Sequence, residues 1–303
     1  MVKIVGIGAN VFDTLYSVDT YPKEDTKMRA NSVKECGGGP CGTGLVAASK
    51  LGGSCAFIGN YTDDSASGFL KGDFEKYGVD TSYMNLKPGF STFCSVLWLS
   101  KDTASRTCVF YRGNVPAAEL DSKAEEAIKN AEILMVDGND MAAAIEGAKI
   151  AKQNGTKVLY DAGGLYEGVE NLLPYADILI PSEEFSLGHT GANNAEEAAK
   201  ILFQKYSPEV VVITQGKEGG IIYDGETVEH YPAFLVDAVD SNGSGDVFHG
   251  AFAFSVTKGM SYPKACVFSS AVSALKCTKV GAREGVPTYE ETINFLKENH
   301  YEF

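Results

Sequence analysis

The feature that most constrains this chain is a rhythm. Short apolar runs, each stopping at Gly, Asp or Ser, recur as "KIVGIG", "CAFIGN", "AEILMVDG", "TKVLYDAG", "ADILIPS" and "EVVVITQG". Such runs, rich in β-branched residues and bounded by turn formers, read as buried strands. Between several of them lie longer stretches with helical periodicity, such as "DMAAAIEGAKIAKQNG" and "NAEEAAKILFQKY". "GTGLVAASKLGG" adds another, with Leu45, Val46, Ala48 and Ser49 at helical spacing and Gly52 with Gly53 to end it. Strand and helix alternating in this way predict an α/β fold, with βαβ units around a parallel sheet covered on both faces. Residues 11–35 and about 88–113 break the rhythm with strand and hairpin material and no helix. A small β subdomain inserted into the α/β body accounts for both, although two separate surface hairpins would read the same way.

Composition narrows the partners. The 26 basic and 40 acidic residues leave a net charge of −14, whose field repels polyanions, so neither nucleic acid nor an anionic membrane is an expected partner. An anionic small substrate would then need a local basic pocket. The seven cysteines are odd in number, scattered and without a CxxC pair, which predicts neither a disulfide framework nor a zinc site. "MVKIVGIGANVFD" reaches Asp13 before a signal-peptide core could form, and no apolar stretch approaches the roughly 20 residues of a membrane span. The expectation is a soluble, cytoplasmic protein.

Three nucleotide or metal motifs come close and fail. Gly6-x-Gly8 follows the first run, but Val11 stands where a dinucleotide fingerprint needs its third glycine. Gly37 to Gly42 has P-loop glycine spacing, yet Thr43 replaces the phosphate-binding lysine. Asp240 to Asp246 lacks the acid spacing and closing glutamate of an EF-hand. What remains is "DSNGSGDVFHGAF", residues 240–252, a glycine-rich turn running into an apolar segment. Val247, Phe248, Ala251, Phe252 and Ser255 predict a helix from about Gly243 with one buried face. Free N–H groups at Gly243, Ser244 and Gly245, backed by the helix dipole, would then hold an anion. Asp246 has two readings: an acid that merely complements the dipole, or a base that takes a proton from a hydroxyl attacking a phosphoryl group.

Across essentially its whole length the sequence resembles the ribokinase, or PfkB, family of carbohydrate kinases. The family's D-T-x-G-A-G-D signature is similar to Asp240-Ser241-Asn242-Gly243-Ser244-Gly245-Asp246. A Gly-Gly pair before an alanine-rich helix ending in Leu-Gly resembles Gly38-Gly39 through Leu51-Gly52, and the early substrate-binding aspartate matches Asp13. "TQGKEGG" looks like the T-x-G-x-x-G nucleotide loop at Thr214, Gly216 and Gly219. "GAREGVP", containing Gly281, resembles the late loop near the nucleotide and a monovalent-cation site.

The resemblance implies a single ribokinase-like domain over 1–303, a three-layer α/β/α body whose β lid comes from about 11–35 and 88–113. It implies ATP and Mg²⁺, with K⁺ as a further cation, an anion hole at the turn and Asp246 as catalytic base. Substrate contacts fall to Asp13, Gly38, Gly39 and Thr43, nucleotide contacts to Thr214, Gly216, Gly219, Asn242 and Gly281. A homodimer through the lid is common in the family. Several stretches look closest to the ketose-directed branch that includes sulfofructose kinase and ketohexokinase. Lys27 and Arg29, with Arg106 and Arg112, are the candidate cations over the sugar; equally, each could be a solvated charge paired with Asp25 or Asp102.

The departures are specific. Thr43 stands where many relatives have a sugar-contacting Asn, Ser244 replaces Ala in the turn, and the N-x-x-E motif linked to magnesium reads Ser182-Glu183-Glu184-Phe185. Glu184 is the metal candidate there, with a plain surface acid as the alternative. The expected activity is transfer of the ATP γ-phosphate to a sugar hydroxyl, a primary one of a ketose or modified hexose. The rivals are a nucleoside kinase of the same fold and a non-catalytic sugar-binding regulator.

Overall fold

The computed structural model describes residues 2–103 and 105–303. Its strands run in chain order β1 (Ile4–Ile7), β2 (Val11–Val18), β3 (Ser32–Gly38), β4 (Cys55–Tyr61), β5 (Val79–Leu86), β6 (Cys94–Ser100), β7 (Arg106–Tyr111), β8 (Ile133–Val136), β9 (Lys157–Ala162), β10 (Ile178–Pro181), β11 (Val210–Thr214), β12 (Gly220–Tyr223) and β13 (Val228–Tyr231). Each of the six apolar runs became a strand of the larger sheet. That sheet has the order β13-β12-β11-β10-β9-β8-β1-β4-β5, parallel from β11 to β5 and closed by an antiparallel hairpin.

Alternate residues face opposite layers. Ile4, Met135 and Leu159 join one buried cluster, while Val5, Leu134 and Val158 join the other. Helices Met141–Asn154 and Ala195–Tyr206 cover the second face; Pro40–Lys50, Ser244–Thr257 and Tyr262–Cys277 cover the first. The expected one-sided burial of the 244–257 helix is corrected: Val247 to Ser255 are all buried. The helix is wedged between the 40–50 and 262–277 helices against the sheet, so it has no solvent face there. Gly44 and Gly250 permit the closest approach, since a Cβ on Gly250 would collide with the Gly44 carbonyl.

From β1 the chain winds outward both ways, to β4 and β5 on one side and to β8 through β13 on the other. In open α/β sheets such a reversal leaves a crevice at the carboxyl ends of the strands, where ligands bind. Here it falls between β1 and β8, beside Gly8, Ala9 and Asp137.

The segments at 11–35 and 88–113 supply a second sheet, β3-β2-β6-β7. Its register pairs Asp13 with Cys36 and Ser95, Ser95 with Phe110, and Leu99 with Arg106. Asp13, Leu15, Lys34, Cys36, Ser95, Leu97, Cys108 and Arg106 therefore share one face. The opposite face carries Tyr16, Val33, Val96, Trp98 and Val109, of which Val33 and Val109 are more than half exposed. Among the described residues no helix is long and apolar enough to cross a membrane.

Candidate active site

Gly243 adopts φ 73°, a left-handed value that turns the chain into the 244–257 helix; a side chain there would also meet Ala282 of the late loop. The helix has no side-chain cap. Among the described residues, the N–H groups of Gly243, Gly245 and Asp246 meet no acceptor. Ser244 differs from expectation: its N–H donates to the Ser241 carbonyl at 3.3 Å, and its hydroxyl lies beside the Cys277 thiol. The free donors are thus Gly243, Gly245 and the backbone of Asp246 itself, a set that fits an anion.

Asp246 lies in the first turn, where burial raises its carboxyl above the usual range against the opposing pull of His249, with smaller help from Arg106 and Lys276. His249 is buried beneath it. Nδ1 of its ring lies 2.6 Å from the Gly245 carbonyl and 3.2 Å from Asp161 Oδ2, and Nε2 lies 2.9 Å from the Ile180 carbonyl. The ring thus ties the start of the helix to Asp161 and β10; burial pushes the Asp161 carboxyl up to about 7, with His249 opposing the rise.

Asp13 approaches from the lid. Ser95 Oγ donates to its Oδ1 at 2.6 Å, and a Cβ on Gly38 would collide with Oδ2, so only glycine leaves room for this carboxylate. Burial pushes Asp13 up to about 6; Ser95 and Arg283 oppose the rise, whereas Asp246 adds to it. Arg283 has no exposed surface. It donates to Asp73 at 2.8 Å, Asn10 Oδ1 at 2.6 Å and the Gly38 carbonyl at 2.7 Å, and lies over the Phe74 ring. It thereby ties the Gly38 backbone at the end of β3 to the Asn10 side chain just before β2. Asp137, also buried, accepts from the backbone N–H groups of Ala9, Cys41 and Asn139 at 2.8 to 3.0 Å. It pins the β1–β2 link to the start of the 40–50 helix.

In the candidate nucleotide loop, Gly216 and Gly219 take φ 57° and 85° around a short turn after β11, and a Cβ on Gly219 would collide with the Tyr231 carbonyl. Gln215 in this turn donates to Glu183 Oε1 at 2.7 Å. Gly281, at φ 101°, donates to Asp240 Oδ2 at 2.8 Å, which ties the late loop to the 240–246 turn.

A family model described as pfkB family carbohydrate kinase matches residues 1–289. The chain belongs to the pfkB family of carbohydrate kinases. It is a sugar kinase, a phosphotransferase whose acceptor is a sugar hydroxyl. It is 27% identical over 297 residues to a ribokinase of Haemophilus influenzae, covering 96% of this chain and 97% of that one. A ketohexokinase of Mus musculus is 26% identical over 287 residues, with 91% and 96% covered. An Arabidopsis thaliana ribokinase, solved with ribose and ATP, superposes with a TM-score of 0.86 over 98% of this chain and 99% of that one at 22% identity, a likeness of fold. The ribokinase-like architecture read from the sequence is the one observed.

Within this pfkB kinase, Asp13, Gly38 and Asp246 lie near enough for the two carboxylates to sense each other. Gly39 starts the 40–50 helix at φ 86°. Thr43 is fully buried and its hydroxyl has no partner among the described residues, so a sugar cannot reach it in this conformation. Arg106 shares the lid face with Asp13 and acts on Asp246 through charge. Arg112 instead borders a cavity of about 460 Å³, lined by Asn10, Asn60, Phe93 and Asn139, where it donates to Asn139 at 3.0 Å and lies over Tyr166. Neither Asp13 nor Asp246 lines this cavity; Asn10 joins it to the cleft. Lys27 is exposed in the irregular segment between β2 and β3, and among the described residues no ion pair to Asp25 or Asp102 forms. Glu184 faces solvent on its helix, whereas its neighbour Glu183 accepts from Gln215 in the turn after β11. Sequence reading missed Asn10, Asp137, Glu183, Lys276 and Arg283. Asn10, Asp137, Glu183 and Arg283 all stood inside segments singled out in the sequence, and a basic residue in "GAREGVP" was the signal available.

Proposed function

We propose that this kinase transfers the γ-phosphate of ATP to a primary hydroxyl of a ketose or keto-sugar acid held between Asp13 and the lid. The observation that carries the reading is the pairing of two carboxylates, buried Asp13 and half-buried Asp246, across an uncapped helix N-terminus. Asp13 accepts hydrogen bonds from the sugar. Asp246 takes the proton of the attacking hydroxyl; that oxygen bonds to the γ-phosphorus while the bond to the β-phosphate oxygen breaks and its electrons leave with ADP. The N–H groups of Gly243 and Gly245 hold the phosphoryl oxygens as charge builds on them. Closure of the lid excludes water, the competing acceptor. Magnesium would enter with the nucleotide as part of the substrate, where it would neutralise phosphate charge, and a carboxylate beside the phosphates would hold it. Glu183, rather than Glu184, is the acid beside the nucleotide turn through Gln215.

Arg106 on the lid face and Arg112 at the cavity favour an anionic substituent. A panel coupling ADP release to ketoses, sugar acids, sugar phosphates and nucleosides tests this, with fastest turnover expected on a ketose or keto-acid. Arg106→Gln should raise KM for the acid about tenfold and leave a neutral ketose within about twofold. Turnover restricted to nucleosides would make it a nucleoside kinase, and sugar binding without ADP release a regulator. The exposed apolar face of the lid, with Val33, Val109 and Tyr111, supports a homodimer through that sheet. Sedimentation should give a dimer that a Val109→Lys change splits; a monomeric parent protein would remove this part.

A further inference from the structure

Lys276 is the feature the reaction leaves unexplained. It sits at the end of the 262–277 helix with no exposed surface, and its nearest carboxylate oxygen, Asp240 Oδ1, is 3.9 Å away. Its ammonium instead donates to two main-chain carbonyls, that of Asp240 at 2.7 Å and that of Asn242. Both belong to the turn whose next residues, Gly243 to Asp246, form the anion hole and carry the base. Ser273, one helical turn earlier, donates to the Ser244 carbonyl. The late loop is held in the same manner. Lys50 donates to the carbonyls of Arg283 and Glu284 at 3.2 and 3.0 Å, and Lys34, which pairs with the Glu284 carboxylate at 3.2 Å, donates to that of Val280 at 3.4 Å.

Carbonyl oxygens converging on one point beside a carboxylate are the donor set that replaces the hydration shell of a potassium ion. In this chain the convergence point beside the catalytic turn already holds a cation. Potassium, which the late-loop resemblance implied, does not fit there, because the Lys276 ammonium occupies the space between the two carbonyls and the late-loop carbonyls are taken by Lys50 and Lys34. An ammonium buried among carbonyls, with its one paired carboxylate at 3.9 Å, is costly to keep charged, and burial lowers the Lys276 pKa against the opposing charge of Asp240. Such a group persists where its charge has a use.

We infer that Lys276 is a built-in monovalent cation: it fixes the 240–242 backbone so that the following N–H groups meet the phosphoryl oxygens, and it makes the enzyme independent of potassium. The inference rests on the kinase reading above. Lys276 touches no reacting atom, so it is a positioning residue.

The test varies the cation at constant ionic strength, exchanging tetramethylammonium chloride for potassium or ammonium chloride. The parent enzyme should turn over its sugar at the same rate, within about twofold, in all three salts. Lys276→Ala, which empties the space between the carbonyls, should lose about tenfold or more in kcat and regain part of it, saturably, with potassium or ammonium. Lys276→Met fills the stem without the charge and should stay slow in every salt. Thermal unfolding gives a readout independent of turnover: potassium should raise Tm of the Lys276→Ala protein and not that of the parent. If no sugar is phosphorylated, the kinase reading fails while this cation-specific shift still decides the role of Lys276. A parent rate or Tm that climbs with potassium overturns the inference, even where Lys276→Ala does not fold. So does an alanine variant that responds no more than the methionine one.

Discussion

Asp246→Asn is expected to lower kcat by about three orders of magnitude while sugar affinity changes by no more than about threefold. Asparagine keeps the size and the hydrogen-bonding edge of the side chain, so the anion hole and the helix start remain, and what disappears is the capacity to take a proton. The pH profile separates this from a loss of shape. Burial raises the Asp246 carboxyl, so the base is protonated, and inactive, up to a higher pH than an ordinary aspartate would be. The acid limb of kcat/KM should therefore lie above the usual carboxylate range, with the rate falling as pH drops through it. Arg106→Gln should move that limb further up, because Arg106 favours the charged form. Near-normal turnover of Asp246→Asn, or an acid limb in the ordinary range, would remove the base assignment.

The sheet was legible because its strands are buried on both faces. "EILMVDG" and "VVVIT" have no polar alternation to confuse, and each ends in a residue that must turn. Of the strands that escaped notice, β5 and β13 are edge strands of mixed burial, where side-chain pattern says little, and β12 is an inner strand of only four residues opening on Gly220. The catalytic turn was legible for a different reason. Gly243 is demanded by backbone geometry, at φ 73° and against Ala282 of the late loop, and it anchors the signature, whereas Gly245 has room for a side chain. The supporting charges were not legible. Arg283 reaches Asp73, Asn10 and Gly38 across 210, 273 and 245 residues, and Lys276 binds carbonyls, which leave no trace in residue identity. Thr43 shows the converse: its place in the motif suggested a sugar contact, whereas packing of the 40–50 helix buries its hydroxyl.

Asp13→Asn should stabilise the ligand-free protein at neutral pH and cost about a hundredfold in sugar affinity. Both effects come from one cause, a carboxylate kept dry for its ligand. Asp13 is buried and its carboxyl is pushed up to about 6, so the fold favours the protonated form. For a carboxyl raised in this way, the stabilising contribution is full below about pH 4, the unfolded value, and is lost as pH rises through 6. Above that the folded protein carries a charge that the unfolded chain would hold more easily, a penalty of about 3 kcal/mol at most. Asparagine removes the charge and keeps an oxygen for the Ser95 hydroxyl. Arg283 loses a favourable neighbour, but its influence on Asp13 is smaller than that of burial, and it keeps Asp73, Asn10 and Gly38. Tm of the variant should therefore exceed that of the parent at pH 7.5, and the gap should close as pH falls towards 4. Sugar loses a charged acceptor, about 3 kcal/mol of binding when two hydroxyls share it. Calorimetric titration at pH 7.5 measures that loss, and a variant that binds sugar normally, or unfolds earlier than the parent at that pH, would show that Asp13 serves the fold rather than the substrate.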